Sequence, residues 1–384
     1  MHLVDTTLFY SPTSGGVKRY LAAKHAWLKA HTSWLHSIVV PGERERIERG
    51  GLCHLPGWRV PGSFNYRLPL SPRRWRWMLE RLEPDLIEVG DAFHPAWCGA
   101  RVASRLGIPL AAFYHSSLPQ ILRHRMGPLS ERAAKRYLCW LYERFDAVFA
   151  PSRLACGFLR DAGVARVVHQ PLGVDAALFH PDRALPDLRE RIAVPRRTRV
   201  LVYAGRFTEE KNLPVLLRAF ERLGRPYHLL LIGGGRRARL APNATLLPYR
   251  TDSGELAQWM ASADALVHAG TRETFGLVIL EAMACGLPVV AARAGAFPEL
   301  IDERVGLLAE PGARGMAEAI DALYRRDRQA LGAAARTKVL REFTWDRVFQ
   351  NQLAAYAALA AAARREPLAA EPEPVAELGT PSSG

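Results

Sequence analysis

The sequence has few cysteines and no paired ones. Cys53, Cys98, Cys139, Cys156 and Cys285 are scattered over 384 residues and form no C-x-x-C. That excludes a zinc ribbon and argues against a disulfide frame, and it reads as free buried thiols in a reducing compartment. Long apolar runs are also missing. The longest strongly apolar stretch, residues 353–363, falls well short of the ~18–20 residues that span a bilayer. The opening residues, MHLVDTTLFY, lack the basic n-region and apolar core of a signal peptide. No repeat with a solenoid period is found. The expected location is cytoplasmic, with peripheral contact at the inner face of a membrane left open.

What is present is a packed globular composition, 49% hydrophobic and 23% charged. A chain of 384 residues exceeds the roughly 250–300 at which one core stops growing, so two domains are expected. The net charge is +14. It is unevenly spread: residues 1–180 carry 24 basic against 14 acidic side chains, whereas residues 366–384 hold four Glu and no base. Such a balance suggests nucleic acid, an anionic membrane or phosphorylated ligands as partners.

Short apolar runs alternate with longer amphipathic segments, the pattern of βα units around parallel sheets. One set includes residues 2–4, 37–40, 86–89, 110–114 and 147–150; a second begins at 199–204 and continues through 227–232, 265–267 and 288–292. Between them, residues 175–195 form a polar, proline-punctuated stretch that reads as the boundary. The organisation is an α/β domain at 1–180, a second at 181–345, a C-terminal helix at 346–365 returning to the first domain, and a disordered Pro/Ala/Glu-rich tail at 366–384. A cleft between two such domains collects the carboxyl ends of their strands, where ligands bind.

The most informative segment is HAGTRETFGLVILEAMACGLPVV, residues 268–290. Glu273 and Glu281 stand seven residues apart, and Thr274, Phe275, Gly276 and Leu277 fall where a loop turns into a helix running to Ala284. The N–H groups and dipole of a helix start favour an anion, and Gly276 admits close backbone approach, so a diphosphate fits there. If most of the segment is helical, ~12 Å separates the two carboxylates, roughly the reach from ribose to hexose in a nucleotide sugar. Alternatively Glu273 caps the helix and Glu281 is solvated, although its apolar flanks make a poor place for an unpaired charge. In YAGRFTEEKNLPVLLRAF, Arg206 and Lys211 follow a strand within a loop and early helix, placed to hold phosphates or else to pair with Glu209 and Glu210. Gly233, Gly234 and Gly235 admit a base or make a tight turn.

In the first half, Gly15 and Gly16 open a helix after the first strand, and His115 follows the strand in PLAAFYHSSLP. Taken with GGVKRY, LGVDAALF, GRFTEEKN and the closing FTWDRVFQNQLAAY, these residues resemble the retaining, nucleotide-sugar-dependent glycosyltransferases of family 4 over nearly the whole chain to Arg365. The resemblance implies the GT-B architecture, two facing Rossmann-like domains with a central cleft. HAGTRETFGL and FYHSSLP look most like the GDP-mannose-dependent mannosyltransferases and related lipid glycosyltransferases. It further implies that Arg206 and Lys211 bind the donor diphosphate, that Glu281 holds the ribose hydroxyls, and that Glu273 contacts the hexose. The backbone at Phe275, Gly276 and Leu277 would address hexose and phosphate, Gly15 and Gly16 would close on the donor, and His115 would bind the hexose near the acceptor. Many relatives carry Pro-Ser where this chain has His268-Ala269-Gly270.

The expected activity is transfer of a hexosyl group, mannose ahead of glucose, from a nucleotide-diphosphate sugar to a lipid, glycan or polyol acceptor. Charge developing on the leaving group would be met by preorganised cations and a helix start. No Asp-x-Asp pair occurs, so transfer without a metal is expected, with GDP-mannose ahead of a UDP-sugar as co-substrate. The alternatives are a UDP-glucose donor with a non-lipid acceptor, and a basic nucleic-acid-binding protein, which would need stacking aromatics among its cations. Its nearest candidate is Arg73-Arg74-Trp75-Arg76-Trp77, but Trp75, Met78, Leu79 and Leu82 at helical spacing read as a helix packing on its sheet. An anionic membrane surface is the preferred use of such a basic helix. Neither an epimerase nor a phosphorylase of the same architecture fits the motif combination.

Overall fold

A computed structural model describes residues 1–10, 15–60, 66–235, 240–248 and 252–365. The expectation for residues 366–384 lies outside them. Nine strands build the first sheet: β1 (His2–Thr6), β2 (Leu35–Gly42), β3 (Arg46–Ile47), β4 (Leu52–Arg59), β5 (Arg67–Pro69), β6 (Leu86–Val89), β7 (Leu110–Phe113), β8 (Ala147–Ala150) and β9 (Val167–His169). Six build the second: β10 (Arg199–Phe207), β11 (Tyr227–Gly235), β12 (Ala244–Pro248), β13 (Ala265–His268), β14 (Val289–Ala292) and β15 (Gly306–Ala309). The spatial orders are β3-β4-β2-β1-β6-β7-β8-β9, with β5 paired to β4, and β12-β11-β10-β13-β14-β15. All pairings are parallel except those of β3 and β5 with β4.

These strands are nearly unbroken apolar runs because helices cover both faces of a parallel sheet. Val200, Leu201, Val202 and Tyr203, for example, are all buried. In each half the chain leaves its first strand in one direction and later returns to the other side of it, β1 lying between β2 and β6, and β10 between β11 and β13. The carboxyl ends at such a switch point form a crevice. The residues following β1, β6, β7, β10 and β13 are therefore the ones the fold delivers to the site.

Four details correct the sequence reading. Gly233 to Gly235 form neither a turn nor an open loop; they continue β11 in register with Gly205 to Phe207. A Cβ on Gly233 would meet the Gly205 carbonyl oxygen at 1.9 Å, so close strand approach requires the glycine. Arg206 lies within β10, and Lys211 ends a short 3-10 turn, Glu209–Lys211, ahead of the Leu213–Leu223 helix. Of the five free thiols, Cys139 is only half-buried. Residues 175–195 are more apolar than their prolines suggested: Phe179, Leu188 and Ile192 are buried, and Arg189 grips Asp264 of the second half at 2.8 and 2.9 Å.

The Pro72–Arg81 helix is capped by Ser71, whose hydroxyl accepts from the Arg74 amide, and it buries Trp75, Met78 and Leu79. Trp77 stays outside with the Arg81 guanidinium over its ring. The closing helix, Trp345–Arg365, lies against the Gly16–His31 helix of the first half. Gln352 donates to the Tyr20 hydroxyl (2.6 Å), Trp27 to Asp346 (2.7 Å), and buried Lys24 to Asp5, Glu88 and the Tyr356 hydroxyl. Asp5 and Glu88 hold the Lys24 ammonium above its usual range against the opposing effect of burial. The two segments between the halves touch where Val174 bridges Thr344 and its amide donates to the Phe343 carbonyl (2.8 Å).

Candidate active site

The Leu277–Ala284 helix starts at Gly276, whose φ of +104° suits glycine, and a Cβ there would strike Phe297 at 2.8 Å. The helix therefore begins where the sequence indicated, but residues 273–276 are not helical, so the ~12 Å rise estimate does not apply to the whole Glu273–Glu281 interval. Its first residue faces the other half: a Cβ on Gly16 would lie 3.4 Å from Leu277 Cδ1. Gly15 caps the helix that Gly16 opens. Two helix starts thus meet across the cleft, each with unpaired backbone N–H groups in its first turn.

Glu273 is half-buried beside the Lys211 ammonium, which donates to its Oε1. Burial alone would raise this carboxyl, yet Lys211 and Arg206 bring it below the usual range and keep it ionised. His268, at the end of β13, accepts the Gly270 amide on Nδ1 (3.0 Å), which leaves the proton on Nε2. That nitrogen is buried without a hydrogen-bond partner and lies 3.7 Å from Glu273 Oε1. Burial, aided by Lys211, pushes the ring down to about 3, so it is neutral. This same hydrogen bond shapes the His-Ala-Gly loop, and Asn212 steadies it by donating to the Ala269 carbonyl (3.1 Å).

Glu281 is buried rather than solvated, and Arg19 of the first half donates to it. The halves are also tied by Ser152 donating to the Thr274 carbonyl (2.7 Å), Thr274 donating to the His115 carbonyl (3.1 Å), and Glu299 accepting the Arg153 and Leu154 amides (2.7 and 2.8 Å). The His115 ring stacks on Phe113, with Tyr20 against its edge, and burial lowers it to about 4. With Phe9, Asp91 and Tyr114 it lines a cavity of about 10 Å³. Burial lifts the Asp91 carboxyl to about 6 although it accepts from the Leu8 and Phe93 amides and from Thr7.

The structure brings Glu273, Lys211 and Arg206 into one charged group, places Phe275, Gly276 and Leu277 at the helix start beside it, with Glu281 further along that helix, and sets Gly16 and Arg19 of the first half across the seam from Leu277 and Glu281. His115 belongs to the adjoining wall of the first half. Arg19, Asp91 and His268 were missed. Arg19 sits inside the quoted GGVKRY and Asp91 two residues beyond a strand end, so position signalled both, while the environment of His268 is set only by packing.

Residues 14–178 match the model described as Glycosyltransferase Family 4, and residues 198–326 the one described as Glycosyl transferases group 1. The chain is similar to the GDP-mannose-dependent alpha-(1-6)-phosphatidylinositol dimannoside mannosyltransferase of Mycobacterium tuberculosis, at 31% identity over 95% of this chain and 98% of that protein. A GDP-mannose-dependent alpha-mannosyltransferase of the same organism is 32% identical over 83% of this chain and 85% of its own. Among solved structures, sucrose-phosphate synthase from Thermosynechococcus elongatus superposes with a TM-score of 0.80 at 22% identity, covering 94% of this chain and 99% of that one. The fold is of the GT-B class, and the family matches and relatives make the chain a glycosyltransferase. The chain belongs to glycosyltransferase family 4, where it resembles the mannosyltransferases.

Proposed function

We propose that this enzyme transfers mannose from GDP-mannose to a polyol or glycan acceptor carried by a lipid, with retention of anomeric configuration and without a metal. The observation that carries the reading is the convergence of the Leu277–Ala284 helix start, the Glu273–Lys211 pair with Arg206, and Glu281 at one seam of the cleft. The names of its relatives, GDP-mannose-dependent in both mycobacterial cases, support the donor.

In this mechanism Arg206, Lys211 and the backbone amides at Phe275, Gly276 and Leu277 hold the diphosphate and stabilise the charge that forms as the bond from anomeric carbon to phosphate oxygen breaks. Glu273, kept ionised, orients the hexose hydroxyls. The ribose hydroxyls take Glu281, displacing Arg19 from it. The acceptor hydroxyl attacks from the face the leaving group vacates and gives its proton to a phosphate oxygen of that group. His115, neutral and at the acceptor wall, contacts the hexose. In this reading the cations available supply the leaving-group charge balance. The protein works at the cytoplasmic face of the membrane in this reading. No helix among the described residues is long and apolar enough to cross it, and exposed Arg73, Arg74 and Trp77 offer a peripheral contact.

Donor hydrolysis across GDP-mannose, UDP-glucose and other nucleotide sugars tests the donor: turnover with GDP-mannose is expected to lead, and UDP-glucose as sole donor overturns that part. The Arg206→Ala/Lys211→Ala double variant, and Glu273→Gln separately, are expected to lower turnover by about 10²–10³-fold while the circular dichroism stays native. Near-normal turnover by the folded double variant removes the site assignment.

A further inference from the structure

Among the described residues three buried side-chain polar atoms have no hydrogen-bond partner: Asn243 Oδ1, Gln352 Oε1 and His268 Nε2. The first two are amide oxygens whose own NH2 groups donate. His268 Nε2 carries a proton, and an N–H shut away from water without an acceptor costs the full desolvation of that group. Glu273 Oε1 lies 3.7 Å from it, beyond hydrogen-bond length by about 0.5–1 Å. The ring is not free to close that gap. Its Nδ1 accepts the Gly270 amide (3.0 Å), Phe297 packs on it at 70° with centroids 4.9 Å apart, and Tyr203 lies at 5.4 Å. A Cβ on Gly270 would stand 2.6 Å from the imidazole Cε1. The carboxylate is the movable partner, and the Lys211 ammonium occupies the same Oε1.

Donor binding changes this balance. In the mechanism proposed above the diphosphate takes Lys211 and Arg206, the two cations that hold Glu273 ionised. The carboxylate, its side chain 14% exposed, is then left with less positive charge beside it, which its burial penalises. Of the neutral groups around it, the Tyr203 hydroxyl is taken by the Arg206 carbonyl (2.9 Å), and the His268 N–H is unused. We propose that His268 is a positioning residue for Glu273: as an incoming diphosphate draws Lys211 away, Nε2–H becomes the hydrogen-bond donor to Oε1 and fixes the carboxylate against the hexose. No proton changes hands, and the neutral ring does not compete with Lys211 for phosphate. The inference rests on the transferase reading for the identity of the diphosphate and the hexose. The handover itself needs only an anion that takes Lys211.

Two substitutions separate this role from support of the loop. The side-chain amide of glutamine reaches the place of imidazole Nε2, and that of asparagine the place of Nδ1. His268→Gln therefore keeps a donor toward Glu273 and loses the bond to the Gly270 amide, and His268→Asn does the reverse. In GDP-mannose hydrolysis His268→Asn is expected to lower kcat about 10–100-fold with KM within about threefold, and His268→Gln to stay within about threefold of the wild type. The acidic limb of the kcat profile is set by Glu273 and the groups facing it: Lys211, Arg206 and Tyr203 from the β10 side and His268 from β13. In His268→Asn that limb is expected to move up by about one pH unit, because the loaded carboxylate protonates more readily. A His268→Asn enzyme no more impaired than His268→Gln assigns the ring to the loop and overturns the proposal. Pyrophosphate supplies a readout without turnover. In the full chain carrying isotope-labelled histidine, the Nε2–H proton resonance of His268 is expected to move downfield as pyrophosphate saturates the site, with saturation followed by calorimetry. In Lys211→Ala it is expected to stand downfield already. A resonance unmoved at saturation, or failure of pyrophosphate to bind, overturns the handover. A wild-type enzyme that turns over no nucleotide sugar overturns the transferase reading instead, and the resonance still decides the handover.

Discussion

At the scale of the residue, three imidazoles, two of them buried and His115 half-buried, share one property. Burial drives His115 to about 4 and His268 to about 3, and His36 well below its ordinary value. All three are neutral near pH 7, so Glu273 and the cations carry the charge of the donor site. The unfolded chain, with imidazoles at their ordinary value, binds protons more readily than the folded one as pH falls below about 6.5. Stability from these groups is therefore full above that pH and is lost progressively toward pH 4. Asp91, lifted to about 6, and Glu88, raised by burial, act in the opposite sense, two carboxyls against three imidazoles. The urea midpoint is expected to be lower at pH 5 than at pH 7.5; an unchanged or higher midpoint contradicts this account.

At the scale of the element, the Pro72–Arg81 helix separates packing from surface chemistry. Trp75 is 1% exposed and donates to the Thr6 hydroxyl (2.9 Å), whereas Trp77 is 45% exposed. Trp75→Ala is expected to cost about 3–5 kcal/mol and Trp77→Ala under about 0.5 kcal/mol in denaturant unfolding. Equal losses would mean that the helix is not docked by this stripe. The 3.6-residue spacing of Trp75, Met78, Leu79 and Leu82 disclosed the buried face, and the apolar runs disclosed the parallel strands. By contrast, β3, β5 and β9 are two or three residues long, too short for a periodic signal. The glycines at 233–235 were legible as a requirement for space, but only the neighbouring backbone of Gly205 shows what filled it.

At the scale of the whole molecule, Arg19–Glu281 is the contact between the halves that a donor ribose displaces in the proposed mechanism. Arg19→Ala is expected to loosen the cleft. Small-angle scattering should then give a larger radius of gyration for the free variant than for the wild type, and saturating GDP-mannose should compact it. Scattering curves that coincide for both proteins, with and without donor, exclude closure governed by this pair. The buried Lys24–Glu88–Tyr356 cluster ties the closing helix to the Gly16–His31 helix, the same element that carries Arg19 to the seam.

The amino-acid sequence by itself determined the two α/β halves, the helix start at Gly276 and the identities of Glu273, Lys211 and Arg206, because local periodicity, glycine placement and residue spacing act over a few residues. Only tertiary structure decided that Arg19 reaches Glu281, that His268 faces Glu273, and that arginines from β3, β4, β5 and the loop after β2 surround one cavity. Those pairings join side chains that are far apart along the chain or brought together by a fold in it, and no local pattern specifies which strand end will stand opposite which.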